Sequence, residues 1–509
     1  MLQAFQQVAK DCPSKIALSD EKVALSFAEL YDWSEAMAEW LQKCTHDRPL
    51  RVLSQLPGGG CFTALQLGCL GSGSTFIPVS DAVTLDEIRY YIALSKADIV
   101  VTTERTEALR QICGEEIGLV TMPEVLAATS PAVGLDGLAN LNVPAFKGHE
   151  HPGWGDTAQI QMTSGSTGAS KGILISEANL QANLDNNQDW LSQFAGQDMF
   201  CPMPQFHAMG GALVMEFLFQ GTGVHLASDG LMADHLRRIA MNQIGVMAGP
   251  PSYFRMMAKL GALTPKTVPK VHTMILGSDA CDQMLYLSLR NGMPDAKVSL
   301  RYGLSESVGT LARLDLTPDH GYDETGLVGG LVPNMEVQLK PDEELPGETE
   351  ILTRGGTVAE RMLQGTDGVE TPLVDEEGFL HTGDLGRLNE DGHVVVTGRK
   401  SQFIKRNGFR ISPLLIEETL RNHQMVADVV VVGLPDPLSG ERVVALLEPP
   451  VGAAEEPVLE TLHDLLKLRL APYNVPQEFR FVRQLPRTPA GKPDRHYIRL
   501  NFSDFSPIK

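Results

Sequence analysis

Ser26 followed by Glu29 spells a capping box, and Phe27, Leu30, Met37 and Leu41 recur behind it at helical spacing. Short apolar runs then alternate with helical stretches. Ile99–Thr102, Gly245–Ala248 and Thr273–Leu276 read as buried strands, with Tyr253–Leu260 and Gln283–Asn291 as intervening helices. Val52–Ser80 carries no charge, but its Gly, Ser, Gln and Pro make it a poor membrane span and a good buried strand–helix piece. The alternation predicts an α/β architecture with largely parallel strands.

The texture changes beyond Pro318. Glu336–Lys340, Thr349–Thr353 and His393–Thr397 are short strands between Gly, Asp and Glu turns, which predicts a small β-rich subdomain. After Lys400 a compact α+β unit follows: Leu414–Leu420 helical, Val426–Val432 and Val443–Leu447 strands, Glu460–Leu470 an amphipathic helix. The acidic stretch Pro449–Pro457 reads as a surface loop within it.

At 509 residues the chain is too long for one ordinary core, so two or more domains are expected. A net charge of −21 argues against nucleic acid as a general partner, while leaving room for a local basic site. The 7 cysteines show no CxxC or Cys/His ligand spacing and read as reduced thiols of a cytoplasmic protein. MLQAFQQVAKDCPSK lacks the pattern of a signal peptide, and no membrane span is expected.

Candidate chemistry begins at Thr163–Gly172, TSGSTGASKG. Glycine lets backbone approach a ligand, and free N–H groups and hydroxyls can cradle phosphate oxygens beside the Lys171 charge. A flexible Gly/Ser linker is the plain alternative. The spelling is not that of a Walker A loop, since Ser170 precedes the lysine and Gly172 follows it. It resembles the phosphate loop of the adenylate-forming enzymes: acyl- and aryl-CoA synthetases, peptide-synthetase adenylation domains and luciferases. Ser170 stands where that family usually has proline.

Further segments resemble the same family in its order: Gly277–Ala280 (GSDA), Tyr302–Glu306 (YGLSE), His381–Asp384 (HTGD), Gly398–Lys400 with Phe403–Lys405, and Pro486–Arg495 (PRTPAGKPDR). Taken singly, each is a turn or a solvated charge. The resemblance implies phosphate contacts from Thr163, Ser164, Gly165, Ser166, Thr167, Gly168 and Lys171. It implies a nucleotide site bordered by Gly277, Ser278, Asp279, Tyr302, Gly303 and Ser305, with Tyr302 stacked on adenine. Asp384 would hold ribose hydroxyls, with Arg399 and Lys405 nearby, and Mg²⁺ would sit on Glu306 and Thr167. Lys492, with Lys171, Thr167 and Glu306, would be catalytic.

The implied fold is α/β: a large N-terminal domain (1–399) of two α/β subdomains plus a small β-rich subdomain, then a small mobile α+β domain (400–509) rotating about a hinge near Ser401. The implied reaction is ATP-dependent, AMP-forming activation of a carboxylic acid, with transfer to CoA or an acyl carrier protein, by a monomer or homodimer. Pro204–Gly210, PQFHAMG, resembles the segment lining the acyl tunnel of acid–CoA ligases, giving His207, Met209, Gly210 and Gly277 as substrate contacts. His207 supplies no fixed negative charge for an α-amino group, so an acid without one is expected. Gly211, Leu213, Val214, Met247, Ala248 and Gly249 suggest an apolar pocket. Amino-acid adenylation and a catalytically silent nucleotide binder are the alternatives. Ser305, Leu415, Pro493 and Ser401 depart from the family pattern and mark a divergent member.

Overall fold

The structure, a computed structural model, describes residues 1–21, 23–44, 48–104, 106–121, 156–163, 170–227, 231–343, 347–407, 409–450, 459–488 and 491–507. Ser26 caps the Phe27–Cys44 helix as expected: Ser26 Oγ accepts from Glu29 N at 3.2 Å, and the Glu29 carboxylate accepts from Ser26 N at 2.8 Å. Phe27, Leu30, Met37 and Leu41 are fully buried on one face of this helix.

Two sheets build the large part of the molecule. In an eight-stranded sheet, Arg51–Gln55 runs parallel to Thr75–Pro78 and Ile99–Thr102. The uncharged Val52–Ser80 stretch is thus strand, Gly60–Ser72 helix and strand. In a thirteen-stranded sheet, Thr273–Gly277 lies parallel to Val246–Gly249 and Lys297–Tyr302. One core draws Val52, Phe76 and Val101 from the first sheet and Val246, Ala248 and Ile275 from the second. Leu65, Leu213, Val214 and Phe217, from the helices packed against them, complete it.

The β-rich stretch beyond Pro318 is continuous with these sheets. Ala312–Leu316 pairs antiparallel with Lys297–Tyr302, covering what would be an exposed edge. Through it Leu327–Leu331, Val394–Arg399, Leu380–Leu388, Thr349–Gly355 and Met335–Pro341 extend the thirteen-stranded sheet. Arg361–Gln364 instead joins Lys171–Ser176 of the eight-stranded sheet.

The C-terminal unit is α+β around a six-stranded sheet. Asp428–Asp436 and Gly440–Glu448 pair antiparallel along their length. Val429 and Val431 pack with Ile416, Leu420, Leu462 and Leu466 on one face, while Val430 and Val432 meet Ile498 and Phe502 on the other. Covering on both faces explains why this strand reads as an unbroken apolar run rather than an alternation. Pro449–Pro457 lies largely outside the described residues. Among the described residues, no helix is long and apolar enough to cross a membrane.

Candidate active site

The phosphate-loop sequence joins two antiparallel strands, Thr157–Thr163 and Lys171–Ser176, and Thr163 pairs with Lys171 across its base. Ser164, Gly165, Ser166, Thr167 and Gly168 lie outside the described residues. At the departure from the family spelling, the Ser170 carbonyl accepts the Tyr90 hydroxyl at 2.6 Å, tying the loop base to the Leu85–Ser95 helix.

The other candidates gather where parallel strands end, the usual ligand-binding edge of such a sheet. Gly277 closes Thr273–Gly277 and Tyr302 closes the neighbouring Lys297–Tyr302, with Gly277 opposite Arg301 in register. A Cβ on Gly277 would lie 2.6 Å from Met209 Cε and 3.0 Å from the Arg301 carbonyl oxygen, so any larger residue would have to displace the methionine end. Ser278, at φ +71°, points its hydroxyl to Met209 Sδ at 3.2 Å. Asp279 is exposed beside it. Gly303 is fixed by a tighter constraint: a Cβ there would sit 1.8 Å from the Gly309 carbonyl oxygen. Ser305 and Glu306 follow in a short 3₁₀ turn.

Tyr302 donates its hydroxyl to Asp384 Oδ2 at 2.8 Å. Asp384 pairs with Arg399 across the adjacent strands, and Arg399 Nε lies 3.5 Å from Asp384 Oδ1. Burial pushes the Asp384 carboxyl above the usual carboxylate range and Glu306 adds to this, against the pull of Arg399 and the Tyr302 hydrogen bond. Burial and the Asp384 charge together hold the Tyr302 hydroxyl well above its ordinary pKa, so it stays a donor. The HTGD turn is anchored by Glu350, which accepts from Gly383 N at 3.0 Å and pairs with Lys400 at 3.4 Å.

Lys492 arrives from the C-terminal unit. Its backbone carbonyl accepts from Thr488 N at 2.8 Å, and the adjacent Gly491 carbonyl accepts from Ser252 Oγ of the large part at 3.0 Å. Desolvation holds its ammonium below the usual lysine range; Asp279, Asp384 and Glu306 oppose that shift and Arg399 adds to it. Lys492 as a whole is nevertheless exposed to solvent. Lys492 thus shares one electrostatic environment with Asp279, Glu306, Asp384 and Arg399. Lys405, by contrast, is exposed on Ile404–Arg406 and shows no contact with this cluster among the described residues.

His207 precedes the Ala208–Phe219 helix, its ring 4.4 Å from that of Phe206. Burial pushes its pKa down to about 4, with the Lys492 charge contributing, so the imidazole is neutral; Nε2 is buried without a partner among the described residues. Gly210 is buried in the first turn against the Pro204 carbonyl. A small cavity of about 30 Å³ opens beside His207 and Ser305 along Ala208, Gly211, Ala212 and Met215. These positions share one helical face.

The expected apolar pocket is therefore corrected in part. Leu213, Val214, Met247 and Ala248 are fully buried in the cores, because the helix and strand periods turn them away from the cavity. Ile175, Leu180, Leu184 and Val308 supply its apolar lining instead, together with the amides of Gln66, Gln159, Gln161 and Asn183.

Sequence reasoning missed a charged seam between the two parts. Asp282 meets Arg255 at 2.7 Å and Arg421 at 3.9 Å, while Asp428 meets Arg421 at 3.0 Å and Arg487 at 2.6 Å. Lys259 pairs with Glu448 at 2.8 Å. The only local signal was Asp282 as the N-cap of Gln283–Gly292.

The family model described as AMP-binding enzyme matches residues 5–362, and that described as AMP-binding enzyme C-terminal domain matches residues 415–492. The chain belongs to the AMP-binding enzymes. This bears out the resemblance to the adenylate-forming superfamily. Among curated relatives, peroxisomal OPC-8:0-CoA ligase 1 of Arabidopsis thaliana is 24% identical, over 92% of this chain and 87% of that protein. Acyl-CoA synthetase 7 of Caenorhabditis elegans is 25% identical, over 100% and 96%. In fold, this AMP-binding enzyme is similar to ATP-bound MatB from Rhodopseudomonas palustris, with TM-score 0.82, 24% identity and 99% of each chain covered. It is likewise similar to o-succinylbenzoate CoA synthetase of Bacillus subtilis, solved with an acyl-adenylate, at TM-score 0.78, 22% identity and 97% of each chain.

Proposed function

We propose that this enzyme activates a carboxylic acid with ATP and passes the acyl group to the thiol of CoA or of an acyl carrier protein. The observation that carries this reading is Lys492, delivered from the C-terminal unit into the environment of Asp384, Arg399, Glu306 and Asp279. The names of the CoA ligases among its relatives support it.

In the first half-reaction a carboxylate oxygen bonds to the α-phosphorus of ATP as the bond to pyrophosphate breaks. Such a transfer needs positioning and charge stabilisation more than covalent help. Asp384 orients the ribose, Tyr302 borders the adenine, and Lys492 sits over the developing charge. Lys171 stands at the base of the phosphate loop, on the side from which pyrophosphate leaves. The Glu306 backbone carbonyl accepts from Ala359 N at 2.8 Å, but its carboxylate makes no hydrogen bond or ion pair with the described residues, which suits a ligand of Mg²⁺, with Thr167 as the further expected ligand. When bound, the ion neutralises phosphate charge. In the second half-reaction the thiol sulfur bonds to the acyl carbon, the bond to AMP breaks, and the thiol proton is released.

The domain assignment belongs to this proposal: residues 1–399 bind nucleotide and acid, and residues 400–509 turn about Ser401, within the Lys400–Gln402 turn, to exchange Lys492 for the thiol. Pyrophosphate exchange across a panel of fatty, aryl and amino acids tests it. At least one acid lacking an α-amino group should drive exchange, and Lys492→Ala should slow it a hundredfold or more. Exchange with no acid, or an unimpaired Lys492→Ala, sinks the proposal.

A further inference from the structure

Arginine and aspartate alternate around the boundary between the large part and the C-terminal unit. Arg255, on the Pro251–Lys259 helix, meets Asp282 at 2.7 Å, and both belong to the large part. Arg421 ends the Pro413–Arg421 helix and meets Asp428, the first residue of Asp428–Asp436, at 3.0 Å. Both of these belong to the C-terminal unit. Across the boundary, Arg421 lies 3.9 Å from Asp282. Side-chain exposures are 14% and 5% in the first pair and 13% and 5% in the second, so solvent screens these charges weakly. Burial alone would raise both carboxyls. Against it, Arg255 and Arg421 hold Asp282 below the usual carboxylate range, and Arg421, Arg255 and Arg487 hold Asp428 well below it. Arg255 therefore acts on Asp428 as Arg421 acts on Asp282, and the ring of alternating charge closes.

The short contacts lie inside each unit, and the long one lies between them. Parting the units strands no charge: Arg255 keeps Asp282, and Arg421 keeps Asp428. A buried ion left without its partner is strongly destabilising, and this arrangement avoids that in either state. The neighbouring Glu417 is taken by Arg495 at 2.7 Å. The ring also reaches Lys492. Arg487 places one nitrogen 2.6 Å from Asp428 and donates another to the Gly491 carbonyl at 3.1 Å. That carbonyl accepts as well from Ser252 Oγ, on the helix that carries Arg255.

We propose that Arg255, Asp282, Arg421 and Asp428 form a clasp selecting the orientation that brings Lys492 to the nucleotide edge, with Arg487 as the positioning residue that ties the lysine loop to it. This rests on the proposed exchange of Lys492 for the thiol between half-reactions. Closed, the clasp adds attraction across the boundary from both pairs. Opened, it leaves each unit with its own neutral pair. It favours acid activation and still lets the units part.

The test compares the two half-reactions in the full chain. Arg255→Met with Asp282→Asn removes the large part's pair from both sides, which strands nothing, and asparagine preserves the N-cap of Gln283–Gly292. Pyrophosphate exchange should slow about tenfold, while thioester formation from supplied acyl-adenylate and the urea midpoint stay near the parent's. Arg487→Met should lower kcat for exchange about tenfold with KM for ATP little changed, and Arg487→Lys should recover part of the loss. Parent-like exchange in the double variant overturns the clasp while acid activation stands; so does equal slowing of both half-reactions at a parent-like urea midpoint. Should the double variant unfold, the Arg487 variants decide, and an unchanged kcat or an equal loss in thioester formation overturns the proposal. Failure of every acid to drive exchange by the parent overturns acid activation and the clasp together.

Discussion

The Tyr302 hydroxyl and the Asp384 carboxylate meet at 2.8 Å across the top of the thirteen-stranded sheet. The bond links the strand that ends in YGLSE to the strand that carries HTGD, segments 82 residues apart. It holds a buried carboxylate where ribose hydroxyls are expected.

Removing that hydroxyl tests whether the link serves nucleotide binding. A hydrogen bond to a charged group contributes roughly 1.5–3 kcal/mol, on the order of a 10- to 100-fold effect. Tyr302→Phe should raise KM for ATP in pyrophosphate exchange about tenfold or more, with KM for the acid nearly unchanged. A variant whose ATP dependence matches the parent would show that Asp384 is positioned by Arg399 and its own strand alone.

Much of this site is legible in the sequence because its parts are spelled locally. The turns at Gly277, Gly303 and Asp384 need particular residues in a row, and a row survives in one dimension. The amphipathic spacing behind Ser26 and the apolar run at Val429–Val432 similarly report one element and its surroundings. What escapes is the choice of face and partner. Leu213 and Val214 look like pocket residues beside His207, yet the 3.6-residue period turns them into the core and leaves Gly211 and Ala212 on the cavity. Gln66 on an apolar helix gains its meaning only from Gln159, 93 residues on. Lys405 sits in a family-like segment, but its strand leaves it exposed in the six-stranded sheet.

Lys259 and Glu448 bridge the two parts of the chain at 2.8 Å in an orientation that brings Lys492 to the nucleotide site. Glu448 also accepts from Leu485 N, so its carboxylate is held while Lys259 is the replaceable partner. Partly exposed pairs contribute about 1 kcal/mol or less, which is up to about a fivefold change in a conformational equilibrium. Lys259→Ala should therefore slow pyrophosphate exchange several-fold while sparing thioester formation from supplied acyl-adenylate. Equal slowing of both half-reactions would mean that the pair stabilises the fold rather than this orientation.

Arg301 and Glu216 form a bidentate pair in the core, with contacts of 2.8 and 2.9 Å and side-chain exposures of 5% and 0%. It ties the strand ending in Tyr302 to the helix that follows His207, and Asn183 donates to the same carboxylate at 2.9 Å. Breaking a buried pair from one side costs about 3–5 kcal/mol, because the remaining charge stays buried. Glu216→Leu should lower the urea midpoint strongly, and adding Arg301→Met should recover a large part of the loss. Additive losses in the double variant would count against a paired-charge origin.

His207 gives the chain a pH-dependent stability of definite sign. Its pKa falls from 6.5 to about 4 on folding, first through burial and then through the Lys492 charge. Below pH 6.5 the unfolded chain binds a proton that the folded chain refuses, so stability is full above that value and declines as pH falls toward 4. At 1.36 kcal/mol per unit the contribution is roughly 3 kcal/mol. His207→Gln removes this titration and leaves every carboxylate in place. Urea unfolding at steps between pH 7 and pH 4.5 should show the parent losing more stability than the variant across that window. Parallel curves would mean that His207 takes up its proton in the folded enzyme, and that the neutral imidazole assigned to the cavity wall is wrong.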